Sequence, residues 1–394
     1  MTETVYLLGA GINQDVADWH GLKPPLADNF FQMALQNKKY SDEHYSTKIK
    51  LVYDYISHYW KKSKEDLQDK PFNLEECFTM LQLQQNEAER MENYTVLREL
   101  VQVEFQLQSF FAEYLLDFSN FVHSSDVMMR LGRVIYTEHP IILTLNYDLI
   151  LERIIESASG VRMNIPKSFH GKPNDQGEIP DEELPYSHCN WNRPLGYGIK
   201  FDEVQIQRAG LSTYVRGNRF YNHPENQLYD WVVLKLHGSL NWFHYIPIRK
   251  YQSFIQEDEE LSEEKREEIL LIDGHWWFNE PPDYHGWLIN PLIITPVLYK
   301  EQYYQHRIFI DIWKRAQDEL TKCNRLIVIG YSFPPTDFNI KRLLLESFSE
   351  NTLDELIVVN PDTSVVKIIK ELCHFEKPVQ VCKDLKEYLT LHTL

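Results

Sequence analysis

The chain has 394 residues, 43% of them hydrophobic and 25% charged, with a formal net charge of −18. This is ordinary globular composition, long enough for one large domain with insertions or for two domains, and it excludes a mainly disordered chain. An acidic surface repels phosphate backbones and anionic lipid, so neither direct nucleic-acid binding by this chain nor docking on a membrane is expected.

The five cysteines, Cys77, Cys189, Cys323, Cys373 and Cys382, are scattered. They suggest neither a disulfide framework nor a metal site, so no metal is expected. The chain opens directly on a strand-like run, without a basic region followed by a long apolar stretch, and no segment is apolar enough to cross a bilayer. The expected compartment is the cytoplasm.

The first element reads as strand, glycine turn and helix: Val5 to Leu8, then Gly9-Ala10-Gly11, then Ile12 onward. Residues 20–30, with Gly21, Pro24 and Pro25, read as a loop that could cover a site. From 41 to 133 the periodicity is helical, with Asn73 and Glu76 spaced as a capping box. This stretch is expected to be a helical insertion on the core, either packed on the sheet or available as an assembly surface.

Ile141 to Leu145 is a short, wholly apolar run, as expected of a central parallel strand, and it ends at Asn146-Tyr147-Asp148 before a helix through Ile155. Residues 160–228 read as an irregular insertion with short strands. Trp231 to Leu236 is a further buried strand, ending at His237-Gly238-Ser239. An acidic run from Glu257 to Glu268 is expected to form a solvated helix face, followed by Trp276-Trp277-Phe278 within an insertion over 250–288.

The last hundred residues alternate: strand Leu292–Thr295, helix 302–321, strand Leu326–Ile329, helix 337–348, strand Leu356–Val359, helix 363–373. Such alternation predicts an α/β fold, a Rossmann-like parallel sheet with helices on both faces, here carrying the large helical insertion.

In sheets of this kind ligands bind beyond the carboxyl ends of the strands. Five predicted strand ends carry suitable residues: Gly9-Ala10-Gly11, Asn146-Tyr147-Asp148, His237-Gly238, Gly330-Tyr331-Ser332 and Asn360-Pro361-Asp362. The first glycine turn can admit a pyrophosphate at a helix N-terminus, or can simply be a tight turn. Ser332 can hold a phosphate or cap a helix. Asn360 can read a ribose hydroxyl or shape its own turn. His237, at a strand tip, is either structural or a base; an imidazole titrating near neutral pH would suit proton abstraction.

These residues, in this order, resemble the sirtuins, and more specifically the sirtuin-like domains of bacterial anti-phage defence systems. Gly9-Ala10-Gly11-Ile12, Thr144-Leu145-Asn146-Tyr147-Asp148, Leu236-His237-Gly238-Ser239-Leu240-Asn241-Trp242, Pro291 to Thr295, Gly330-Tyr331-Ser332 and Asn360 carry the resemblance. It implies a single sirtuin-like Rossmann domain over 1–394 that takes NAD as substrate. Gly9, Ala10, Gly11 and Ser332 would hold the phosphates, with Ile12, Thr144 and Gly330 in the same motifs. Asn360 would hold the adenosine ribose, Asn146 would lie at the nicotinamide ribose and Asp148 near the carboxamide. His237 would act as general base.

Where deacylating sirtuins carry two Cys-x-x-Cys pairs, the insertion over 250–288 has no cysteine, and with the zinc module goes one wall of the acyl-lysine cleft. Asn13 stands where those enzymes have a serine. The expected activity is therefore hydrolysis of NAD to nicotinamide and ADP-ribose, draining NAD in an infected cell. An NAD- or nucleotide-sensing module and an NAD-dependent protein deacylase are the alternatives, with a nuclease weaker still. The resemblance further implies control by homo-oligomerisation or by a HerA-type ATPase partner.

Overall fold

A computed structural model describes residues 3–17, 21–160, 191–208, 211–222, 229–247, 268–273, 286–298, 300, 303–334 and 337–392. Among these the strands are β1 (Thr4–Leu8), β2 (Ile141–Thr144), β3 (Glu203–Arg208), β4 (Leu211–Arg216), β5 (Val233–Lys235), β6 (Gly238–Pro247), β7 (Glu268–Asp273), β8 (Gly286–Ile293), β9 (Arg325–Ile329), β10 (Glu355–Val359) and β11 (Gln380–Cys382).

Six of them form a parallel sheet in the order β11-β10-β9-β1-β2-β5. The chain builds outward from β1 through β2 to β5, then returns to the other side of β1 for β9, β10 and β11. This is the doubly wound Rossmann order, with its switch point between β1 and β9. The unbroken apolar runs have the reason expected of them. Tyr6, Leu7, Ile142, Leu143, Leu234, Ile327 and Ile357 are buried because helices cover both faces.

One covering layer is the helical insertion. It begins at Phe30, earlier than the expected 41, and runs through Phe30–Gln36, Lys50–Trp60, Leu74–Arg90 and Tyr94–Phe118 to Asp126–Glu138. Its core is aromatic: the Phe30 ring meets Phe31, Phe110 and Tyr114 at centroid distances of 5.2, 5.1 and 5.7 Å. Asn73 caps its helix by accepting from the backbone N–H groups of Glu75 and Glu76. The loop over 21–29 is pinned to the same layer, since Phe72 and Leu74 N–H donate to Asp28 and Ala27 carbonyls at 3.0 and 2.9 Å.

The sequence reading did not anticipate a second sheet. β4, β3, β7, β6 and β8 lie side by side in that order, antiparallel except for β3 and β7. Two expectations are corrected by it. The strand placed at Leu292–Thr295 is the end of β8, which pairs antiparallel with β6 and stands outside the parallel series. Glu268 opens β7 instead of closing an acidic helix. The rest of that run, 257–267, and the aromatic triplet 276–278 lie outside the described residues, as does Cys189. Within 191–222, part of the insertion expected to be irregular, β3 and β4 form a hairpin between the short helices Arg193–Gly196 and Gly217–Asn222.

The two sheets meet at His237. β5 ends at Lys235 and β6 begins at Gly238, so Leu236 and His237 are the whole connection. Gly238 turns the chain there with φ of +82°, and a Cβ on it would lie 2.1 Å from the Leu292 carbonyl oxygen. Only glycine fits. Among the described residues, no helix is long and apolar enough to cross a membrane.

Candidate functional site

The strand registers bring the expected residues to one edge. Leu8 is level with Thr144 and Ile329, Thr144 with Lys235, and Ile329 with Val359. Gly9, Gly330 and Asn360 therefore stand one step past their strands, and Asn146 and His237 two steps past adjacent ones.

At the switch point the two glycine turns pack backbone to backbone. Gly9 N–H donates to Ile329 O at 3.0 Å and Gly11 N–H to Gly330 O at 2.8 Å. A Cβ on Gly9 or Gly11 would come within 2.7 Å of the Gly330 oxygen, and one on Gly330, which has φ of +62°, within 2.3 Å of Ile12 N. The glycines are thus required by each other. After Gly9 the chain makes a six-residue 3-10 helix, Ala10–Asp15, with Ala10 exposed, Gly11 partly so and Ile12 buried. Ser332 is exposed as well.

Asn146 is half-buried, and its Nδ2 donates to the Gly9 carbonyl at 3.2 Å while its backbone N–H donates to Thr144 Oγ1, also at 3.2 Å. Its carboxamide is therefore fixed in orientation, with Oδ1 lacking a partner among the described residues. Thr144 is buried and donates to Leu8 O at 3.4 Å.

Asp148 and Asn360 are committed inside the fold. Asp148 accepts from Asn13 Nδ2 at 2.7 Å and from Ile150 N–H at 2.9 Å, at the start of helix Ile150–Ser159. Burial raises its pKa, against Lys235, the Ile150 N–H and Asn13, which lower it. Asn360 donates to Tyr331 O at 3.0 Å and accepts from Asp362 N–H at 2.9 Å.

Lys235 secures the loop between Asn146 and the following helix. Its ammonium donates to the carbonyls of Tyr147 and Asp148 and pairs with Glu152 at 2.9 Å, all deep in the protein. Glu152 also accepts from the Tyr197 hydroxyl at 2.8 Å, and Tyr197 reaches Asn241 of β6 at 3.3 Å. The second sheet and the Asn146 loop are therefore tied by one buried polar network.

His237 lies at the strand tip as expected, yet it is only 4% exposed. Its ring stacks on Tyr147 at 6.1 Å and 29°, and its Nε2 has no hydrogen-bond partner among the described residues. Asp337 Oδ1 lies 3.8 Å from Nε2. Asp337 is in turn paired with the buried Lys300 and accepts from the Tyr331 hydroxyl at 3.0 Å. Burial raises the Asp337 carboxyl, but His237, Lys300 and Tyr331 together bring it below the usual carboxylate range.

The expectation of an imidazole titrating near neutral pH is corrected here. Burial, and after it the Lys300 charge, push His237 down to about 3, with Asp337 opposing. Desolvation disfavours the imidazolium.

Sequence reasoning missed Lys300, Asp337 and the Lys235 network. The available signal was charge out of place, since Lys235 interrupts an apolar strand and Lys300 follows the apolar stretch from Leu292 to Val297.

Among the described residues, no group of three or more His, Cys, Asp or Glu side chains could hold a metal ion. No family model matches the chain, and no curated protein matches it in sequence.

Proposed function

We propose that the chain is an NAD glycohydrolase that cleaves NAD to nicotinamide and ADP-ribose. The observation that supports this best is the pairing of Asn146 and His237 at adjacent strand ends, beside the glycine turns of a Rossmann switch point. An oriented carboxamide and an imidazole whose Nε2 has no partner among the described residues are polar groups suited to a ligand, because a buried nitrogen without a partner costs free energy that a bound hydroxyl or water would recover.

In the reaction, the oxygen of water bonds to ribose C1′ and the bond from C1′ to the nicotinamide nitrogen breaks. The electron pair leaves with neutral nicotinamide, and one water proton passes to a base. Asn146 orients the ribose or the water, and His237 receives the proton. Exposed Ala10 and Ser332 offer a backbone N–H and a hydroxyl to the phosphates beside the Gly11 turn. In this reading the activity serves to deplete NAD during phage infection, gated by further copies of the chain or by a HerA-type ATPase.

A second reading, NAD or nucleotide sensing without turnover, draws support from the weak basicity of His237. One assay separates them: the purified chain, Asn146→Ala and His237→Gln are incubated with NAD, and nicotinamide and ADP-ribose are followed by chromatography. Hydrolysis predicts equal release of both products, falling about 10²–10⁴-fold in His237→Gln, the usual worth of a positioned base. Tight NAD binding with no product, alone or with the candidate ATPase, would establish the sensing module. Undiminished turnover in both variants would remove Asn146 and His237 from the site.

A further inference from the structure

The carboxylate–lysine pair behind His237 belongs to none of the motifs discussed above. Lys300 comes from the segment after β8 and Asp337 from the start of helix Phe338–Ser347, and the Tyr331 hydroxyl that supports the carboxylate comes from the turn after β9. Asp337, Lys300 and Tyr331 are all buried. The titratable groups facing the imidazole are Lys300, Asp337 and, across the ring stack, Tyr147, whose hydroxyl donates to Ile294 O at 2.8 Å. Tyr331 lies behind the carboxylate, with Tyr304 and Glu75 beyond it.

Burying a carboxylate and an ammonium is costly, and replacing such a pair by apolar side chains is often neutral or stabilising. A buried pair placed 3.8 Å from an imidazole nitrogen that has no hydrogen bond among the described residues therefore calls for a reason beyond stability.

We propose that Asp337 is the positioning residue of His237, turning Nε2 and stabilising the protonated ring, and that Lys300 sets its strength by holding the carboxylate partly neutralised. This deepens the reading of His237 as the base and rests on it. When water gives its proton to the imidazole, the new positive charge arises 3.8 Å from Asp337 Oδ1, close enough for the carboxylate to stabilise it in this buried setting. With Lys300 bound to Asp337, the ring stays neutral and available to accept. Tyr331 fixes the second carboxylate oxygen, leaving Oδ1 to be shared between Lys300 and His237.

The test is the titration of the His237 ring without nucleotide, by NMR on histidine-labelled full chain. The signal is assigned as the one missing in His237→Gln. Lys300→Gln keeps a donor to Asp337 but removes the charge, and is expected to raise the proton affinity of His237 at least tenfold. The double variant Lys300→Gln with Asp337→Asn should return it toward the wild-type value. An unchanged titration in Lys300→Gln, or an equal rise in the double variant, overturns the proposal. Should the double variant not fold, Lys300→Arg decides: it keeps the charge, so a rise there as large as in Lys300→Gln overturns it too.

NAD hydrolysis is measured on the same samples. The expected shifts without hydrolysis in any sample would sink the glycohydrolase reading and leave the His237–Asp337 pair standing. Hydrolysis without the shifts would do the reverse.

Discussion

Burial of His237 makes the stability of the fold depend on pH in a definite direction. In the unfolded chain the ring titrates near 6.5, whereas in the fold it is pushed down to about 3, first by burial and then by Lys300, against Asp337. Between those values the unfolded chain binds a proton that the folded chain does not. A base whose folded pKa is depressed contributes its stability fully above the unfolded value, and that stability is lost as pH falls through the window. From pH 7.5 to 5.0 the ring covers about 1.5 units of the window, at about 1.36 kcal/mol per unit, a loss of roughly 2 kcal/mol. His237→Gln cannot titrate and should lack this share. Urea unfolding of both proteins at the two pH values gives the difference of differences. Two other histidines with lowered pKa, His123 and His392, are present in both proteins and cancel. Equal losses, within about 0.5 kcal/mol, would mean that His237 gains its proton in the fold as readily as outside it. The burial argument would then be wrong.

Gly330→Ala should destabilise by roughly 3 kcal/mol, combining left-handed backbone strain with a Cβ forced against Ile12 N, and thermal unfolding reads it. Lys235→Met should cost roughly 3–5 kcal/mol in urea unfolding, because it strands Glu152 without its counter-charge. If NAD is hydrolysed through His237, kcat/KM should be flat from pH 5 to 8 in the wild-type chain, as a base at about 3 is already unprotonated there. In Lys300→Gln the acid limb should move up from about 3 by at least one pH unit, the rate falling as pH drops through the raised value, so the profile is followed below pH 5 as well.

The parallel sheet was legible because its signal is local. Ile141–Leu143, Leu326–Ile329 and Leu356–Val359 are unbroken apolar runs, each followed within three residues by a turn residue. β11 escaped notice because Gln380-Val381-Cys382 is a three-residue edge strand with Val381 exposed. The second sheet escaped for a different reason. Its pairing depends on contacts across long stretches of chain, such as Trp242 with Leu271, which no single segment reveals. The same distinction holds at the site. Residues at strand ends could be read one strand at a time, whereas the Lys300–Asp337 pair exists only once residues 37 apart are brought together.

One ambiguity at the switch point can be resolved by choice of position. Gly9, Gly11 and Gly330 are demanded by backbone contact with one another, so substituting them damages the fold whether or not a phosphate binds above. Ala10 is free of that constraint, since it is exposed at the first position of the 3-10 helix. Ala10→Glu leaves the glycine packing untouched and adds a negative charge where the phosphates are expected. A unit charge about 6 Å from a phosphate costs about 1–3 kcal/mol at effective dielectrics between those of water and a protein surface. NAD affinity should therefore fall roughly 5- to 150-fold at low salt, with stability within about 0.5 kcal/mol of wild type. Calorimetric titration at two salt concentrations should show the loss shrinking as screening rises. Unchanged affinity in a stable Ala10→Glu chain would mean that the glycine turn serves the sheet alone and that NAD, if bound, lies elsewhere along this edge.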